Sequence, residues 1–168
     1  MFWNIRVLNL TAFLATVVAM ATALLYFQGH LGLTACPLCI FQRVGMIGAG
    51  IVFLIAGLHN PGRIGLRLYA LIGLIPTVFG AFIAARHLWI QTLPPDQVPS
   101  CGPDLAYMMQ NFPLQQVITT VLKGSGECAE IQWSLFGLTI PGWVLVVFVV
   151  LILFQLLQLV KGDFTKRG

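Results

Sequence analysis

Four long apolar stretches, at about 7–27, 39–58, 66–89 and 141–160, constrain this chain more than any other feature. Each reaches about 20 residues, the length an α-helix needs to cross the hydrocarbon core of a bilayer. Backbone in lipid finds no water to bond to and must satisfy its own donors and acceptors, so these segments are expected to be helices. Strands of a barrel would be shorter and would alternate polar with apolar residues. Composition agrees, with 58% hydrophobic and 8% charged residues among 168, against roughly 25% charged in an ordinary soluble domain. The expectation is an all-α, integral membrane four-helix bundle, a single domain over 1–168 with loops at about 28–38 and 90–140. Pro76 inside the third segment is expected to kink it, and Gly45, Gly48 and Gly50 to let the second segment approach its neighbours closely.

The first segment has a basic start at Arg6 and small residues at Ala19, Ala21 and Ala23, which a cleaved signal peptide would also show. Its apolar stretch exceeds the roughly 7–15 residues of a signal core, so a retained helix is the reading. Arg6 precedes the first span, Arg63 and Arg67 join the second to the third, and Lys161, Lys166 and Arg167 follow the fourth. By the positive-inside rule those ends are cytoplasmic, both termini included. Trp89 and Trp143 then fit an outer aromatic belt and Trp3 an inner one. The net charge of +4 is spread over span ends without a dense basic run, which argues against a nucleic-acid partner.

The 90–140 connection holds five of the nine prolines and four of the five acidic residues. Within it, Leu114, Val117, Ile118, Val121 and Leu122 recur at helical spacing between Pro113 and Gly124, which predicts a short amphipathic helix. Such a stripe lies on the membrane surface or packs on the bundle, and the spacing fits both.

All four cysteines fall at the outer face. Cys36-Pro37-Leu38-Cys39 stands where the first outer loop enters the second span, so the pair is expected at a helix start, where unpaired amides attract the negative charge of a thiolate. Haem attachment would need histidine where Ile40 stands. Arg43, four residues beyond Cys39, shares its helical face, where its guanidinium either serves the sulfurs and a quinone being reduced or snorkels to lipid phosphate. Cys101 and Cys128 bracket the loop helix, 27 positions apart. They do not form a second short knuckle of the kind zinc sites use, and no metal is expected. The pair is either a staple for the loop or, with Gly102, Pro103, Gly124 and Gly126 nearby, a mobile disulfide that exchanges with an external dithiol.

These residues resemble the DsbB family of bacterial disulfide bond formation proteins along nearly the whole chain. The resemblance is carried by Cys36-x-x-Cys39-Ile40-x-x-Arg43, by Cys101 and Cys128 in the second outer loop, and by Trp133, Gly137-Leu138, Pro141 and Trp143. It implies a bacterial inner-membrane oxidoreductase that reoxidises a DsbA-like, thioredoxin-fold periplasmic oxidase and reduces a quinone, ubiquinone or menaquinone. It further implies that Cys101 forms the mixed disulfide with the partner, that Cys128 resolves toward Cys36, and that Cys39 adjoins the quinone, with Arg43 and His87 at the quinone site. Gln42 departs from members that carry glutamate there. Branches dedicated to specialised partners share this plan, and a membrane subunit whose cysteines only staple its loops is the non-enzymatic alternative. The vitamin K epoxide reductase type also joins four helices, a CxxC and a quinone, but a CxxC at the start of the second helix and a partner loop after the third follow the DsbB order.

Overall fold

The computed structural model describes residues 5–94, 96–98, 105–124 and 126–161. Cys101, Gly102, Pro103, Trp3, Lys166 and Arg167 lie outside the described residues. Four helices are long and apolar enough to cross a membrane: Ile5–His30, α2 (Pro37–His59), α3 (Arg63–Gln91) and Ile140–Val160, the last within α7 (Ile140–Lys161). The first span is α-helical over α1 (Ile5–Ala21) and π-helical over Thr22–His30, so it runs three residues past the expected 27 and turns its last polar residues by a different period. The long loop carries α4 (Leu105–Asn111), α5 (Leu114–Lys123), α6 (Gly126–Ala129) and a hairpin of β1 (Ser134–Leu135) and β2 (Leu138–Thr139). Apart from that hairpin the described fold is all-α, as expected.

Local chemistry sets the ends of α2. Pro37 occupies the first turn, where the missing N–H would have found no helical partner, and Cys36 caps it in extended backbone. Asn60 closes the other end at φ 45°, a left-handed position that asparagine tolerates, and Pro61 bars continuation. Pro76 sits within α3, and its surroundings explain why it is accommodated. A Cβ on Gly48 would lie 2.9 Å from the Pro76 ring, and one on Gly45 would lie 2.9 Å from the Gly80 Cα and the Pro76 carbonyl oxygen. Small residues thus let α2 and α3 meet backbone to backbone, the contact that substitutes for a hydrophobic driving force between helices in lipid. Gly50 plays the same part toward α1, beneath Thr16.

α2 packs between α1 and α3, and α3 packs on α7. The Gln158 amide donates to the Asn9 side-chain oxygen across 3.1 Å and links α7 back to α1. The buried positions include Asn9, Thr16, Gln42, Thr77, His87, Gln155 and Gln158, whereas Leu25, Ile75, Phe82 and Val150 are exposed. Polar inside and apolar outside is the distribution lipid demands.

Over the cysteine end, the loop helices form a lid. Met108 of α4, Val117 and Val121 of α5 and Cys128 of α6 join Cys36, Leu38, Ile83 and Ile90 in one cluster. The α5 stripe therefore divides: Val117 and Val121 are buried on the bundle, and Leu114, on the same helix, is 63% exposed. Arg86 fixes this docking. Its Nε and Nη2 donate to the Leu122 and Lys123 carbonyls at 3.1 and 3.3 Å, satisfying the end of α5, and its guanidinium lies over the Trp89 ring.

Candidate active site

The cap geometry of α2 places Cys36 and Cys39 one turn apart with their sulfurs 3.2 Å from each other. A disulfide is about 2.05 Å long, so the two stand open as thiols, a small movement short of bonding. Cys36 is buried and Cys39 half-buried, and both stand at the first turn of α2.

Behind the pair, α3 contributes His87. Its Nε2 lies 3.8 Å from the Cys36 sulfur and its Nδ1 3.9 Å from the Cys39 sulfur. Two shorter contacts hold the ring: Nε2 to the Cys128 carbonyl oxygen at 3.0 Å, and Nδ1 to the Gln42 side-chain nitrogen at 3.1 Å. The short α6 thereby brings Cys128 to the first pair, with the Cys36 sulfur, a His87 ring nitrogen and the Cys128 sulfur all within 4.8 Å of one another. Two sulfurs and an imidazole are also donors of the kind zinc takes, and His87 Nε2 is bonded to the Cys128 carbonyl. A small cavity opens beside this cluster, lined by His87, Gln91, Glu127, Glu130 and Trp133 among others.

Cys39 also faces the other way, onto a larger cavity between the first span, α2 and α7. Met20, Phe27, Met46 and Val144 give it apolar walls, and Gln28, Gln42, Arg43 and Gln132 supply its polar groups. Arg43 is held there, its Nη1 donating to the Gln28 side-chain oxygen at 2.8 Å. Trp133 meets Phe27 edge to face, ring centroids 5.0 Å apart, and closes the loop over the first span. His87 is not on these walls. The structure puts it with the sulfurs, and Gln42, which lines this cavity beside Arg43, bonds its Nδ1.

Gln28 and Gln42 were not singled out as site residues in the sequence. Gln42 carried a faint signal, because position 42 is three beyond Cys39 on one helical face. Gln28 carried none, because a π-helical turn changes which residues of the first span look inward.

A membrane-embedded bundle that gathers Cys36, Cys39 and Cys128 around a buried histidine defines the class: an integral membrane thiol–disulfide oxidoreductase. The sequence profile of the disulfide bond formation protein DsbB family matches residues 5–158. Among curated relatives, a disulfide bond formation protein B of Nitrosococcus oceani is 53% identical over 134 residues, 80% of this chain and 79% of its own. That of a Psychrobacter species is 50% identical over 155 residues, covering 92% and 91%, and that of Acinetobacter baylyi 46% over 162 residues, covering 96% and 94%. The chain belongs to the DsbB family, whose members are membrane enzymes of disulfide formation.

Proposed function

We propose that this enzyme oxidises a DsbA-like, thioredoxin-fold periplasmic dithiol and passes the electrons to a membrane quinone, from a bacterial inner membrane with both termini cytoplasmic and the cysteines periplasmic. One observation carries the reading: the cysteine pair of α2 touches Cys128 on one side and, through Cys39, an apolar cavity with an arginine on the other. The orientation is supported by the basic residues Arg63 and Arg67 at the end remote from the cysteines.

The residues act in sequence. A partner thiolate attacks Cys101 of a Cys101–Cys128 disulfide, and Cys128 leaves as a thiolate. Cys128 attacks Cys36 of a Cys36–Cys39 disulfide; the Cys128–Cys36 bond forms, and Cys39 leaves with the electron pair. The partner's second thiolate then displaces Cys101, releasing the partner as a disulfide. Cys101 displaces Cys36 from Cys128 and restores the outer pair, which leaves Cys36 and Cys39 reduced by two electrons. Their re-closure delivers those electrons toward the cavity.

The cavity fits a quinone by its chemistry, with apolar walls for a ring and isoprenoid tail and Arg43 as a donor to a ring oxygen gaining negative charge. A quinone bound there would supply the two-electron acceptor, held by the apolar walls and by Arg43. Arg43 orients and stabilises at that oxygen, and Gln28 holds Arg43.

Purified protein in lipid nanodiscs is expected to reduce ubiquinone or menaquinone analogues only when given a reduced thioredoxin-fold dithiol protein. Cys36→Ser and Cys39→Ser are each expected to stop turnover. Normal turnover in either variant rules the relay out.

A further inference from the structure

His87 is buried, and so is Gln42, whose side chain makes the shorter of two contacts to its Nδ1, the other being the Cys39 sulfur. The hydrogen bonds around the ring fix where its proton sits. The Cys128 carbonyl offers lone pairs and no proton, so His87 Nε2 carries the hydrogen of that 3.0 Å bond. In the neutral ring, Nδ1 then holds a lone pair, and the Gln42 amide nitrogen donates to it across 3.1 Å. The Cys39 sulfur lies 3.9 Å from this same Nδ1. Gln42 and the Cys39 thiol therefore compete for one lone pair.

A carboxamide carries both a donor and an acceptor on one rotatable plane. We propose that Gln42 is a positioning residue that works as an amide switch for His87. Its nitrogen donates to Nδ1 of the neutral ring, and once turned over its oxygen accepts from Nδ1–H of the protonated ring. In that second state a proton has moved from Cys39 to His87: the S–H bond breaks, the N–H bond forms, and no electrons change hands. Thiolate and imidazolium leave the buried site with no net charge, which spares the cost of one unpaired ion in a dry interior. His87 then holds one of the two protons that quinol formation consumes. A carboxylate in place of the Gln42 amide would accept hydrogen bonds and donate none, so it would favour the protonated ring. This inference rests on the reading of Cys39 as the sulfur that faces the electron acceptor.

The test is a nitrogen NMR spectrum of the full chain, labelled at histidine ring nitrogens, in lipid nanodiscs at neutral pH with its cysteines reduced. His87 is told from His30 and His59 by the signals that vanish in His87→Gln. Expected in the wild type is a neutral ring protonated at Nε2 with a hydrogen-bonded, proton-free Nδ1. Gln42→Leu is expected to keep the Nε2–H tautomer but lose the hydrogen-bond shift at Nδ1, and Gln42→Glu to show protons on both nitrogens. In rapid mixing, Gln42→Leu should slow quinone reduction on the order of 10-fold, the low end of what proton-transfer groups contribute, with the exchange between partner and Cys101–Cys128 unchanged. A wild-type ring protonated at Nδ1, or a Gln42→Glu spectrum identical to wild type, overturns the switch. The wild-type spectrum decides the tautomer even if a variant does not fold. These spectra need no quinone, so turnover that survives Cys39→Ser would sink the proposed function while leaving the tautomer result to stand by itself.

Discussion

The two sides of the Cys36–Cys39 pair are built from different materials. On one side His87 and the Cys128 carbonyl form a buried network with every described ring contact at hydrogen-bond or near-sulfur distance, and Gln42, which bonds the ring, reaches into it from the cavity it also lines. On the other, Cys39 meets apolar walls, and the one cation of the lining, Arg43, is held by Gln28. The difference separates two tasks. Thiol exchange needs sulfurs brought within bonding reach and their protons managed, which short, directional contacts do. Accepting a flat apolar molecule needs an open, desolvated wall with few polar groups. The two sides meet at Cys39, whose sulfur lies 3.2 Å from that of Cys36 and which lines both cavities, and at Gln42.

The most severe way to break this division is Cys36→Ser or Cys39→Ser, which removes the sulfur bridge between the two sides and is expected to end turnover altogether. Next comes Arg43→Ala. It is expected to raise the KM for quinone about 10-fold, roughly 1.4 kcal/mol of lost binding, while partner exchange stays within twofold. Unchanged quinone kinetics would return Arg43 to an interfacial arginine that merely reaches lipid phosphate. His87→Phe should do the reverse, slowing delivery of electrons to the Cys36–Cys39 pair in single-turnover mixing and moving the quinone KM less than Arg43→Ala does. A KM shift equal to that of Arg43→Ala would erase the distinction between the sides. The smallest effect is expected from Gln28→Leu, which leaves Arg43 in place but less constrained: a rise of about threefold in quinone KM, consistent with losing one hydrogen bond to a charged group in a partly solvated setting.

The loop offers a second contrast, with the spans. Leu114, Val117, Ile118 and Val121 announced α5 from spacing, because a helix at a water boundary must sort its residues by face. Even so, the spacing did not say what the face would meet. Val117 and Val121 are covered by the bundle and Leu114 is left exposed, a division decided where Arg86 pins the helix end.

The spans behave differently. Their lengths and the basic residues at their ends were legible in the chain, as were the cysteine spacing at the start of α2 and the place of Arg43 one turn beyond Cys39. Those features are local, and a helix converts sequence spacing into position without help. Which face of each span looks inward was not legible, since lipid accepts apolar side chains as readily as the core does and leaves no polar stripe to mark the outside. So the meetings of Cys36 with His87, 51 positions away, of His87 with the Cys128 carbonyl, and of Arg43 with Gln28 across a π-helical turn belong to the tertiary structure alone. They depend on how far each helix is rotated about its axis, and that is set by the close contacts of Gly45, Gly48 and Gly80 with their neighbours.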